Sequence, residues 1–79
     1  VHDEVERRLS LTTVGRLVKT HLHGRERTVI ELRYGLLDGR VHAQQEIAER
    51  LGISRSYISR IEKKAMETLK TAFHQEGKP

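Results

Sequence analysis

The chain has 79 residues, a formal charge of +4 and no cysteine, which suits one small domain and excludes a disulfide framework, a thiol nucleophile and a cysteine-bound zinc. Apolar residues make up 35% and charged residues 33%, too apolar and too periodic a pattern for a disordered tail. No apolar run approaches the ~20 residues that span a bilayer, and no signal-peptide core appears, so membrane and secretion readings fall away and a reducing cytoplasm fits.

The basic excess is uneven. Residues 1–39 carry seven basic and six acidic side chains, and residues 40–79 carry eight and five; the C-terminal half therefore favours a polyanionic partner. The first residue is Val1, and the chain is expected to be a piece of something longer. Residues 1–10 are charged, with Val5 and Leu9 four apart, and read as a linker or a frayed helical turn. From Leu11 the apolar residues Leu11, Val14, Leu17, Val18 and Leu22 recur at three and four, the stripe of an amphipathic helix of about three turns. Ser10, Thr12 or Thr13 caps its start, and Gly24 ends it. A second helix is expected from Arg25 through Tyr34, with Val29 and Ile30 inward and Gly35 as its stop. Leu36 to Ala43 reads as a loop; its Asp38-Gly39 pair is a turn signal, and no alternating strands flank it to make a hairpin.

A third helix follows from Gln44 to Leu51, then Gly52, then a long fourth helix from Arg55 to Phe73. Ile47, Ala48, Leu51, Ile53, Ile58 and Ile61 form the apolar pattern of a helix-turn-helix. Ala48 is small enough for a second helix to cross close over it, Gly52 takes the positive φ of a tight turn, and Ser54 caps the next helix. Arg55, Ser56, Ser59 and Arg60 then lie opposite the buried Ile58 and Ile61, at the helix start from which side chains reach base edges in a DNA major groove. Ile58, Ile61, Ala65, Met66 and Leu69 line the inner face, and residues 75–79, ending Gly77-Lys78-Pro79, read as a disordered tail. The fold class is all-α, a small four- or five-helix domain with a C-terminal helix-turn-helix.

The run RERTVIELRYGLLDG (Arg25 to Gly39), followed by QQEIAERLGISRSYISRIEKKAMETL (Gln44 to Leu69), resembles the C-terminal region 4 of bacterial sigma factors of the sigma-70 type, and within that family the sporulation sigma factors. The resemblance extends over Leu11 to Phe73, and residues 11–74 are taken as the region 4 domain. It implies a module of a transcription-initiation subunit, cytoplasmic and nucleoid-associated, whose helix-turn-helix enters double-stranded promoter DNA at the −35 element. It also implies docking on the β-flap of the RNA polymerase core, and an anti-sigma factor as a further partner. Carried over by position, base reading falls on Arg55, Ser56, Ser59 and Arg60, and backbone contact on Arg25, Arg33, Gln44 and Lys64. Arginine is suited to guanine O6 and N7, and Lys64 to phosphate as a point charge. Primary sigma factors usually carry glutamate and glutamine where Ser56 and Arg60 stand, so the bases read here should differ. Ala43 stands where threonine is frequent, which removes a cap at a cost of ~1 kcal/mol.

Several residues have a plainer reading beside the functional one. Tyr57 either touches phosphate through its hydroxyl or packs over the turn. Lys63 and Lys70 suit a wet charged face, and Glu62 suits an ion pair on its own helix, a contribution of about 0.2–0.5 kcal/mol. Leu11, Val14, Leu17, Val18 and Leu22 are first of all core, yet one stripe that wide also leaves a groove for a partner helix. His2, His21, His23, His42 and His74 form no metal set, no cofactor is expected, and no phosphate loop, carboxylate pair or nucleophile with a base supports an enzyme or a small-molecule substrate. The rival reading is the DNA-binding domain of a response-regulator-type transcription factor, which shares the EIA…LGIS run and would bind paired half-sites as a dimer. The GLLDG loop and SRIEKKA ending speak against it.

Overall fold

The computed structural model describes residues 11–76. Four helices follow in order, α1 (Leu11–His21), α2 (Gly24–Arg33), α3 (Gln44–Leu51) and α4 (Arg55–Glu76), with no strand among the described residues. The expectation for residues 1–10 and the last three residues of the expected tail lie outside the described residues, as does the side chain of Leu11.

Two helix ends are built alike, and both were legible as glycines. At the end of α2, Gly35 takes φ +70° and the Leu36 amide bonds the Glu31 carbonyl at 2.8 Å. At the end of α3, Gly52 takes φ +71° and the Ile53 amide bonds the Ala48 carbonyl at 3.1 Å. In each, a left-handed residue turns the chain back so that the next amide satisfies an orphan carbonyl of the last turn. Gly24 departs from its expected role: it is the first residue of α2, with α1 already ended at His21. The fourth helix also runs past Phe73 to Glu76, so Gln75 and Glu76 belong to it and not to a tail. An ion pair between Arg16 Nη1 and Glu76 Oε1 at 2.7 Å ties that last turn to α1.

The 3.6-residue period decides which side chains meet. Val14, Leu17, Val18 and Leu22 from α1 and the residue after it pack with Ile30, Ala65, Leu69 and Ala72, while Tyr34, Leu36, Met66 and Phe73 close the edges. Val29, Leu32, Ile47, Ala48, Ile58 and Ile61 form a second cluster, closed by Leu51 and Ile53. Helix α4 is the shared wall: its first half holds the helix-turn-helix and its second half holds α1. The α1 stripe carries two readings, core and partner groove. Val14, Leu17, Val18 and Leu22 are buried, because the second half of α4 fills the groove that α1 alone would leave open. They are interior to this fold.

Candidate nucleic-acid interface

Base-reading side chains need a rigid helix start, and the chain supplies one. The Ser54 hydroxyl accepts the Tyr57 amide at 3.1 Å, and the Ile58 amide bonds the Ser54 carbonyl at 3.1 Å, so α4 begins on a satisfied N-cap. Ile58 and Ile61 are buried against α2 and α3, which turns Arg55, Ser56, Ser59 and Arg60 to solvent. Arg55 and Ser59 stand four apart, as do Ser56 and Arg60, and thus lie in two parallel rows along the helix. At the facing end of the motif, α3 starts on Ala43 with no side-chain cap, in keeping with the missing threonine.

The residues expected to contact phosphate divide into two groups. Arg25, Tyr57 and Lys64 line one concave recess of about 400 Å³, together with His23, Glu26, Arg60 and Ile61. Two helices bring them together: the start of α2 supplies Arg25, and successive turns of α4 supply Tyr57, Arg60 and Lys64. Tyr57 is 43% exposed and forms part of the wall beside Ile61. Lys64 sits 3.7 Å from Glu26 and is well exposed, a surface pair of the weak, screened kind. The recess therefore joins Arg60, an arginine expected at a base-reading position, to three backbone candidates.

Arg33 and Gln44 form the other group, and both turn toward Glu62. Arg33 Nε donates to Glu62 Oε1 at 3.1 Å and Nη1 donates to the His42 carbonyl at 3.0 Å. Gln44 Nε2 donates to the same Glu62 oxygen at 2.7 Å. Glu62 was expected to pair along its own helix; instead it joins the last turn of α2, the first residue of α3 and α4. The reason is tertiary: α2 and α3 both pack on the face of α4 that carries Glu62.

His42 is the residue the sequence did not single out beyond excluding metal. Its ring is buried at 2% exposure, in a loop without periodicity to signal it. Nε2 lies 3.4 Å from Asp38 Oδ2, and Nδ1 lies 3.0 Å from Glu46 Oε2 without the alignment of a directed hydrogen bond. The Asp38 carboxyl is held below its ordinary value, first by the Arg40 amide bonded to Oδ1 at 3.0 Å and further by His42. Contact with the His42 ring likewise lowers the Glu46 carboxyl. Together with the His42 amide bonded to the Leu32 carbonyl at 3.0 Å, these contacts pin the loop between α2 and α3 and so set where α3 begins. Among the described residues no three His, Asp or Glu side chains gather at metal-binding spacing, and no helix is long and apolar enough to cross a membrane.

A family model described as sigma-70, region 4 matches residues 20–71. The chain is 41% identical over 70 residues to the RNA polymerase sigma-E factor of Clostridium acetobutylicum, covering 89% of this chain and 28% of that protein. It is 40% identical over 78 residues to the RNA polymerase sigma-K factor of Bacillus subtilis, covering 99% and 26%, and 50% identical over 54 residues to the RNA polymerase sigma-28 factor of Bacillus thuringiensis, covering 68% and 22%. The chain thus spans about a quarter of the length of these curated relatives. Nothing in these matches favours the response-regulator reading. With its capped recognition helix, its glycine-turned motif and a family match running from the end of α1 to the last turns of α4, the chain belongs to the sigma-70 region 4 family.

Proposed function

We propose that this chain is a promoter-recognition module of a sigma factor, reading the −35 element of double-stranded DNA with the first turns of α4. The observation that carries the reading is the exposed set Arg55, Ser56, Ser59 and Arg60 on a capped helix start, continuous with the recess that holds Arg25, Tyr57 and Lys64. In this reading Arg55 and Arg60 offer donors to guanine, Ser56 and Ser59 bond either donor or acceptor edges, and Arg25, Tyr57 and Lys64 set the register on phosphate. The names of the relatives carry RNA polymerase, which supports the polymerase core as the protein partner; the β-flap as the docking element and an anti-sigma factor as a regulator are further parts of this proposal. Docking then uses surface other than Val14, Leu17, Val18 and Leu22, since those side chains are interior.

The test is a selection of randomised duplexes on the chain, with the same selection on Arg55→Ala. One short enriched motif is expected, with Arg55→Ala losing about 1–3 kcal/mol of discrimination at one base position. Enrichment of no motif by the folded chain refutes base reading. Enrichment of two half-sites in fixed spacing returns the assignment to a dimeric regulator. A titration with a β-flap fragment tests the docking element separately, and saturable binding is expected.

A further inference from the structure

We infer that Glu62 acts as an internal counter-anion for Arg33, so that Arg33 braces the recognition helix instead of contacting the DNA backbone; this rests on the DNA reading above. Both partners come from outside α4. Glu62 Oε1 accepts hydrogen bonds from Arg33 Nε at 3.1 Å and from Gln44 Nε2 at 2.7 Å, and Arg33 Nη1 donates to the His42 carbonyl at 3.0 Å. The Glu62 side chain is 15% exposed. A DNA phosphate approaching Arg33 meets a guanidinium whose charge is already matched by a partly buried carboxylate, where salt screens little. To take the arginine, that phosphate must replace an oxygen which Gln44 also holds. Among the described residues Arg25 has no acid in ion-pair range, and Lys64, with its side chain 76% exposed, lies 3.7 Å from Glu26 Oε2.

The consequence concerns both charge and position. The oxygen that neutralises Arg33 lies two residues beyond Arg60, so the brace ties the base-reading turns to the ends of α2 and α3. The cation is thereby subtracted from the set that releases counterions, and its hydrogen bonds hold the angle at which α4 meets the rest of the motif.

Salt dependence separates this from a purely structural role. Fluorescence anisotropy on a short mixed-sequence duplex, between about 50 and 200 mM salt, gives the slope of log K against log salt, which changes by about 0.9 per phosphate contact. Glu62→Gln keeps the acceptor oxygen and the shape but removes the charge. It is expected to stay folded by circular dichroism and to steepen the slope by about 0.9, an additional loss of about 3.5-fold in affinity across that salt range. Adding Arg33→Gln to Glu62→Gln should remove the extra contact. A slope unchanged or shallower in folded Glu62→Gln overturns the inference, while DNA selection by the unchanged chain leaves the functional reading standing. If the unchanged chain binds no duplex at the lowest salt, the functional reading fails and takes this inference with it. A second readout needs no variant: on adding DNA to the unchanged chain, the NMR signal of the Arg33 Nε–H should hold its position. Movement of that signal as large as for Arg25 overturns the proposal.

Discussion

Replacing Leu17 by alanine asks whether the α1 stripe is core or docking surface. Leu17 is fully buried among Val14, Val18, Leu22, Ile30, Ala65, Leu69 and Ala72, with side chains from α1, α2 and α4 around it. Removing a buried leucine side chain to alanine costs about 2–5 kcal/mol, the larger values where the site does not collapse. A chain of this size rarely holds more than ~3–5 kcal/mol in total, so the variant should have lost at least about half of its stability. Urea unfolding followed by circular dichroism reads this directly: with a slope near the low end of the usual range, about 1 kcal/mol per molar, the midpoint falls by roughly 2 M or more. Leu37, which is 61% exposed, is the control, and Leu37→Ala should stay within about 0.5 kcal/mol of the parent. Should Leu17→Ala unfold at the parent's midpoint and lose only binding to a polymerase fragment, the burial argument fails and α1 is a docking helix.

Three further outcomes follow from individual contacts. Ser54→Ala deletes the cap on α4 and should cost about 1 kcal/mol in the same urea assay; no change there would mean the Tyr57 amide finds water at no loss. Gly35→Ala forces a side chain into left-handed backbone with its Cβ 3.3 Å from the Gly39 and Arg40 backbone, and should destabilise by at least ~1–2 kcal/mol, with a stabilised variant refuting the turn geometry. The pH dependence has a definite sign. Asp38 and Glu46 are lowered in the fold from ordinary values of 3.8 and 4.5, so their stabilising contribution is complete above those values and is lost as pH falls through the lower folded ones. Thermal melts from pH 6 to about pH 3 should therefore show a declining midpoint, less steep in Asp38→Asn with Glu46→Gln, and an equal decline in both proteins would sink the assignment.

Local chemistry made much of this protein readable in one dimension. The period of three and four in Val14, Leu17 and Val18, the glycines at 35 and 52, and the serine ahead of Arg55 each act within a turn or two of chain, and each stands where the sequence places it. The exposed face of Arg55, Ser56, Ser59 and Arg60 follows from the same periodicity, once Ile58 and Ile61 are known to be buried. Only packing decided the rest. Whether the α1 stripe was core or groove depended on where the second half of α4 lay, a question of pairing between segments far apart in sequence. The same packing put Glu62 against Arg33 and Gln44, which no spacing along one helix reveals, and drew Arg25, Tyr57, Arg60 and Lys64 around one recess. The sequence alone determined the helices, their ends and the outward face of the recognition helix, because those depend on neighbours in the chain. The tertiary structure decided which charges remain available to a polyanion, because a cation is spent or free according to the acids that distant helices bring to it.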